Sequence, residues 1–534
     1  MTLRKPSRAG VALAIALSGA LTLGVGSTTG ADRGPGGPGH GDSPEPDGPT
    51  VELGVEVLLE DQLDLLEGKR VGLITNPTGV DSELTHTMDL LVEHQEEGGY
   101  ELTALYAPEH GILGGAPAGA QVPNYEDPRT GLTVWSLYGA TQRPTAEMLA
   151  DVDVLLFDIQ DIGARFYTYI WTMYYAMDAA AEFGKDFVVL DRPNPLGDRM
   201  DGPVLDPSVS SFVGLREIPM QHGLTVGELA ALFNGEFLEE PVENFHVVQM
   251  EGYDPDDFVD GYGLEWVLPS PNIPTLETAW AYAGTGLIES LDASEGRGTT
   301  KPFLWIGHGD LDEVEAYALA EDLNSRGLEG VHFRPMFANP AAGQKQGGRL
   351  SGGVEVHITD PASYVPVRTG LHVLQAFYDT PEVDWREGTI YPNQRCETEA
   401  DTCWIDRLTG DKDVRLQLEA GVDPDEIIAG WAEELAAFDA LADDYRLYEV
   451  SVDGIRSALD RHVAAGAVAG PVVGQLTQAL DQAERHLASG KTRQAEQALD
   501  RFVRHLQSPS RRDTVTEEAG ADLLQRVDRL RDRL

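Results

Sequence analysis

The stretch DVLLFDIQDIGARFYTYIWTM, residues 153–173, sets the fold. Its opening apolar run is too short for a helix and suits a strand buried on both faces of a parallel sheet. Asp158 closes the strand. Gln160, Asp161 and Arg165 follow in a polar loop, and a helical pattern runs from Thr168 to Phe183. Strand, polar loop and helix form half of a βαβ unit.

Three other runs repeat the arrangement. VGLIT (71–75) ends at Asn76, LTALYAP (102–108) at Glu109 and His110, and FVVL (187–190) at Asp191, Arg192 and Asn194. With a further run at 133–137 and helical stretches at 83–94 and 225–237, they predict a doubly wound parallel sheet over residues 51–238. Thr225 and Glu228 have the spacing of a capping box. In such sheets ligands bind outside the carboxyl ends of the strands, where these polar residues fall.

Residues 239–448 are richer in Gly and Pro, with strand candidates at 245–250, 331–333 and 353–358. They predict a smaller α+β subdomain, with a helix at 424–441. Residues 451–534 change character: 13 Lys+Arg stand against 12 Asp+Glu, in a chain of formal charge −50. Two amphipathic helices around Ser489-Gly490 predict a small all-α module. The acidity belongs to the rest of the chain, and a body this acidic is expected to repel nucleic acid and anionic membranes.

Residues 1–31 have the form of a secretory signal. Arg4, Lys5 and Arg8 precede an apolar run from Val11 to Val25, then small residues near Thr28–Ala31. The segment has no cysteine for lipid attachment and no twin arginine. Residues 32–50, DRGPGGPGHGDSPEPDGPT, read as a flexible linker. A secreted, extracellular or wall-associated protein is expected, without membrane attachment once the signal is removed. The two cysteines, Cys396 and Cys403, then suit a disulfide better than a zinc site.

The chemistry-bearing residues are mostly acids and amides. Glu109 sits at a strand end beside glycines 111, 114 and 115, which allow close approach of a ligand; it is a candidate general acid. Arg165 either forks onto a carboxylate of the site or closes an Asp–Arg bridge within its own loop. Tyr167 and Tyr169 offer flat faces of the kind sugars stack on, or fill the core. Asn194 either binds hydroxyls or satisfies its own turn. Asn272 lies in a second Pro-Asn loop. Glu289, Glu295 and Arg297 surround two glycines, as a facing carboxylate group or as an ion network at an interface. No GxGxxG, GxxxxGK[ST], GxSxG or HExxH pattern occurs, so no cofactor or metal is expected. Paired carboxylates acting on a glycosidic bond fit best.

Taken together, GKRVGLITNPTGV (68–80), APEHGILGGAPAG (107–119), DPRTGLTVWSLYG (127–139), VVLDRPNP (188–195), PMQHGLTVGELA (219–230), PSPNIPTLETA (269–279) and ESLDASEGRGTTKPF (289–303), with the opening stretch, resemble the NamZ-type exo-β-N-acetylmuramidase family. The resemblance spans roughly residues 53–448. It implies a Rossmann-like domain plus a smaller subdomain, with the site between them, releasing N-acetylmuramic acid from non-reducing ends of peptidoglycan fragments without metal or nucleotide. It makes Glu109 the catalytic acid and leaves Asp158, Asp161, Glu289 and Glu295 as candidates for the partner carboxylate. Asn76, His110, Gln160, Arg165, Tyr167, Arg192, Asn194, Asn272, Glu289, Glu295 and Arg297 become candidate sugar contacts. Leu113, Gly286 and Asp292 depart from the family pattern. The tail, LTQALDQAERHLASGKTRQAEQALDRFVRHL, resembles the FIMAH module, expected to attach to cell wall or to another protein. The competing expectation is a non-catalytic saccharide-binding protein using the same residues.

Overall fold

The computed structural model describes residues 51–255, 262–386, 396, 401–448, 451–464, 466–508, 514–532 and 534. The expected signal and linker lie outside them. In chain order the strands are β1 (Arg70–Thr75), β2 (Glu101–Ala107), β3 (Tyr125–Glu126), β4 (Thr133–Ser136), β5 (Val154–Asp158), β6 (Asp186–Leu190), β7 (Met200–Val204), β8 (Pro219–His222), β9 (Phe245–Val248), β10 (Trp305–His308), β11 (Val331–Ala338) and β12 (Ser351–Ile358).

Seven of them form the main sheet, in the order β3-β4-β2-β1-β5-β6-β9. Six run parallel, and β3 joins one edge antiparallel to β4, so the sheet is mixed at that edge. Every residue of β5 is buried, as a central strand covered on both faces requires. The strand expected at 245–250 in the second region is β9, which lies beside β6 at the other edge of this first sheet. It is half-exposed, so its apolar signal is weak.

The chain leaves β1 toward β2 and β4, then returns to β5 on the other side of β1. The carboxyl ends of β1 and β5 therefore flank the point where strand order reverses. Thr75 pairs with Asp158 across it. Helices α1 (Gly54–Asp61), α2 (Thr87–Gly98), α3 (Tyr169–Phe183) and α4 (Val226–Leu232) pack around the sheet. The first expected helix begins four residues late because Asp81 binds the N–H groups of Glu83 and Thr85, at 3.0 and 2.7 Å, and holds that segment as a turn. Thr225 and Glu228 cap α4 reciprocally.

The second region contains α5 (Leu276–Thr285), the antiparallel sheet β10-β12-β11, α6 (Glu313–Ser325), α7 (Pro366–Tyr378) and a group of short helices: α8 (Trp404–Thr409), α9 (Lys412–Glu419), α10 (Pro424–Ala429) and α11 (Ala432–Ala442). The helix expected at 424–441 is two helices, broken at Gly430-Trp431. One apolar core, including Phe157, Trp171, Trp280, Phe303 and Phe377, runs through both regions. Cys396 and Cys403 are joined, with Cα atoms 5.2 Å apart.

The C-terminal module has four helices, α12 (Val452–Ala464), α13 (Pro471–Leu487), α14 (Thr492–Leu506) and α15 (Glu517–Asp532), around its own core of Leu476, Leu480, Leu499, Phe502 and Leu523. Two of its arginines reach the body: Arg526 pairs with Asp254 at 3.0 Å and Arg529 with Asp198 at 2.7 Å. Among the described residues, no helix is long and apolar enough to cross a membrane.

Candidate active site

Glu109 leaves the end of β2 through Pro108. His110 and Gly111 follow with φ of +69° and +78°, so two consecutive left-handed residues turn the chain back. A non-glycine residue there is uncommon and costs energy that the fold must hold in place. The His110 ring does part of this, donating its Nδ1 hydrogen to Ala116 O at 2.6 Å. Glu109 is half-buried, and each carboxylate oxygen receives one donor: Gly119 N at 2.8 Å and Thr168 Oγ1 at 2.9 Å.

Asn76, at the end of β1, is fully buried. Its Oδ1 accepts from Thr78 N at 2.9 Å, and its Nδ2 donates to Pro269 O at 3.4 Å. Tyr169 donates to the same carbonyl at 2.6 Å. These bonds draw the Pro269–Asn272 loop of the second region onto the sheet edge, with Asn272 half-buried on it.

Several expected sugar contacts are committed elsewhere. Asp158 is fully buried; Arg192 forks onto it through Nε at 2.5 Å and Nη2 at 3.0 Å, and Thr87 donates to the same carboxylate. Arg192 also binds Val80 O at 2.7 Å. This is a buried staple joining the β5 and β6 loops to the start of α2. Gln160 donates to Asp161 O and Pro193 O. Asn194 closes its own turn with Leu196 N and reaches Leu224 O.

Among the described residues Arg165 forks onto no carboxylate. Its buried guanidinium donates to four backbone carbonyls, those of Pro203, Ile218, Leu408 and Thr409. Burial pulls its pKa down to about 9, against the pull of Glu434 and Asp411. It ties the β7–β8 ribbon to α8.

Asp161 has one oxygen bound and one bare. Oδ2 accepts from Gly163 N at 2.8 Å and from His222 Nε2 at 3.0 Å, while Oδ1 is sealed from solvent with no hydrogen-bond partner. His222 Nδ1 accepts from Leu224 N, which fixes the tautomer with hydrogen on Nε2.

The second group of acids lies just beyond α5. Arg297 bridges Glu289 at 2.7 Å and Glu295 at 3.1 Å, and packs 4.8 Å over the Phe303 ring. Lys345 pairs with Glu295 at 2.7 Å and donates to Ile288 O and Leu291 O at 2.8 Å each, pinning the turn that carries Glu289. Burial alone would push the Glu295 carboxyl up, but Lys345 and Arg297 outweigh it and hold it well below the usual range. Burial likewise lowers Lys345, opposed by Glu295.

Aromatic rings join the two groups. Tyr169 meets Tyr167 edge-on at 5.0 Å, and Tyr167 meets Tyr282 at 5.6 Å. The Tyr282 hydroxyl is pushed well above its ordinary value by burial, then by Glu289, with Glu109 and Glu295 adding and Arg297 opposing. Glu109 and the Glu289–Arg297–Glu295 group therefore both bear on the Tyr282 hydroxyl. Thr168, His222, Tyr282 and Lys345 are the residues that sequence reasoning passed over. His222 at least stood inside a motif already marked out. A lysine in the loop AAGQKQGGR reads as solvated until its three acceptors are visible.

Away from this region, His372, Asp423 and Asp425 are near enough to hold a metal ion, but Arg368 already forks onto Asp425 at 2.6 and 2.9 Å.

The same segments align with known proteins. The N-terminal model of the exo-β-N-acetylmuramidase NamZ matches residues 71–277 and its C-terminal model residues 280–448, while a FIMAH domain model matches 452–532. The peptidoglycan β-N-acetylmuramidase NamZ of Bacillus subtilis (strain 168) is 44% identical over 401 residues, covering 75% of this chain and 92% of that protein. Two solved structures of DUF1343 family proteins from Bacteroides fragilis each cover 75% of this chain and 99% of their own. One is 39% identical with a TM-score of 0.65, the other 27% with 0.57. Matched along both halves of the body, from the strand that ends at Asn76 through the acids around Arg297, this chain belongs to the exo-β-N-acetylmuramidase NamZ family.

Proposed function

We propose that the chain is a glycoside hydrolase releasing N-acetylmuramic acid from the non-reducing ends of peptidoglycan fragments. The observation that carries this reading is the Glu109 carboxyl group, half-buried at the sheet's carboxyl edge with a donor on each oxygen, and joined to a second acid cluster through the Tyr169–Tyr167–Tyr282 rings. Glu109 gives its proton to the glycosidic oxygen as the C1–O bond breaks. Water supplies hydroxide to C1, and its remaining proton returns to a carboxylate.

Of the four partner candidates, Asp158 is held by Arg192, and Glu295 by Lys345 and Arg297. The free oxygen of Asp161 is sealed from solvent. Glu289 is bound by Arg297 through Oε1, which leaves Oε2, and it is the favoured base or nucleophile. Attack by the substrate's own N-acetyl group is the alternative route to the same product.

The basic and apolar segment at residues 4–25 supports secretion, with the protein acting outside the cell or on the wall. The C-terminal module then serves attachment to wall or to a partner protein. The test is incubation with a defined glycan bearing a terminal N-acetylmuramic acid, with mass spectrometry of the products. Free N-acetylmuramic acid released from that end alone supports the reading. Saturable binding without release would favour a saccharide-binding protein.

A further inference from the structure

Tyr282 is built more rigidly than a core tyrosine needs to be. Its ring is held on three sides: Phe303 edge-on at 4.7 Å, Phe166 at 5.2 Å and Tyr167 edge-on at 5.6 Å. Its helix, α5, is pressed backbone to backbone against α7. A Cβ on Gly284 would meet Pro366 O at 1.9 Å, and one on Gly370 would meet the Gly284 backbone at 2.4 Å. Such a contact leaves the helix little room to shift.

The hydroxyl at the end of this fixed ring has no hydrogen-bond partner among the described residues. The neighbouring Tyr167 hydroxyl is sealed from solvent beside Ser270. The Tyr282 oxygen is not sealed. Of the nearby acids, Glu109 accepts from Gly119 and Thr168, and Glu289 and Glu295 pair with Arg297, which leaves Glu289 Oε2 for the chemistry. An aromatic hydroxyl that meets no acceptor in the protein and keeps an open side bonds water or a ligand there. Here it is placed to find its acceptor in a ligand.

We propose that Tyr282 is a catalytic residue of the muramidase reaction: its hydroxyl donates a hydrogen bond to an oxygen of the terminal sugar between Glu109 and Glu289, and this bond strengthens in the transition state. The inference rests on the proposed function and adds a donor to it. Burial and the surrounding carboxylates keep the phenol protonated, so it acts as a fixed donor rather than as a nucleophile or base. A preorganised donor of this kind acts on the chemical step more than on ground-state binding.

The experiment compares Tyr282→Phe with wild type on a synthetic chromogenic N-acetylmuramic acid glycoside. Phenylalanine keeps the ring and its three contacts and removes only the oxygen. The expected result is a kcat lower by about 10- to 100-fold, KM within about threefold, an unchanged Tm and an unmoved pH–rate profile. A kcat within twofold of wild type would overturn the proposal, as would a loss confined to KM. If wild type itself gives no turnover, the functional reading has failed separately. Turnover in wild type that the variant matches removes Tyr282 alone and leaves that reading standing.

Discussion

Thr168 Oγ1 donates to Glu109 Oε2 at 2.9 Å, linking the residue before α3 to the loop after β2. The two come from different strand ends of one sheet, and the bond fixes the rotamer of the proposed acid. Thr168→Ala removes one of the two donors to that carboxylate. A hydrogen bond to a charged group is worth about 1.5–3 kcal/mol. Turnover should fall roughly 10-fold, consistent with that range, while Thr168→Ser retains most of it. Steady-state kinetics with the chromogenic glycoside check this, and a Thr168→Ala enzyme as fast as wild type would separate Thr168 from the chemistry.

Arg165 is expected to matter for stability and not for sugar recognition. Lysine cannot reach four carbonyls with three donors, and each buried acceptor left bare costs about 1–3 kcal/mol. Arg165→Lys should lose about 1–3 kcal/mol in urea unfolding, with turnover per folded molecule within twofold. Unaltered stability would contradict the role assigned here.

Glu228 should make stability fall as pH rises through neutrality. Burial, reinforced by Asp191, raises its pKa to about 7 despite hydrogen bonds from Thr225 N and Leu447 N. The folded protein then holds a proton that the unfolded chain has released above its ordinary value near 4.5. This contribution is fully present below about pH 4.5 and is lost as pH rises through about 7. Tm measured from pH 5 to 7.5 should slope downward less in Glu228→Gln than in wild type. Parallel slopes would count against it.

Truncation after Tyr448 removes Arg526 and Arg529 and with them one ion pair each of Asp254 and Asp198. Turnover of the small chromogenic substrate should stay within twofold, because the module's ion pairs to the body, among the described residues, go to Asp254 and Asp198 and not to Glu109 or Glu289. The body should melt a few degrees lower, and retention on isolated cell walls should change. Loss of small-substrate turnover in a folded truncation would place the module in the active site.

The alternation of strands and helices was legible because central parallel strands are apolar throughout, as VLLF before Asp158 is. The edge was not. β9 alternates weakly, and β3 is two residues long. The strand-end residues were legible as a group, since an α/β sheet delivers them to one side. Their division of labour was not. Asp158 and Arg192 lie in adjacent loops, and nothing in their spacing says that they satisfy each other. Arg165 and Arg297 look alike in sequence, yet one meets only carbonyls and the other bridges two glutamates. Tyr282 and Lys345 gain their meaning from residues far along the chain, which periodicity cannot report.

The central claim is that Glu109 supplies the proton that breaks the glycosidic bond. Its most direct test is Glu109→Gln beside wild type on the chromogenic N-acetylmuramic acid glycoside, with sugar binding measured on both. The amide keeps the shape, accepts from Gly119 N through its one oxygen and can donate through its NH2 group to Thr168 Oγ1, but it has no acidic proton to give. Turnover should fall at least about 100-fold, in line with loss of a general acid, with affinity for the sugar retained. Equal turnover in the two proteins would contradict the assignment.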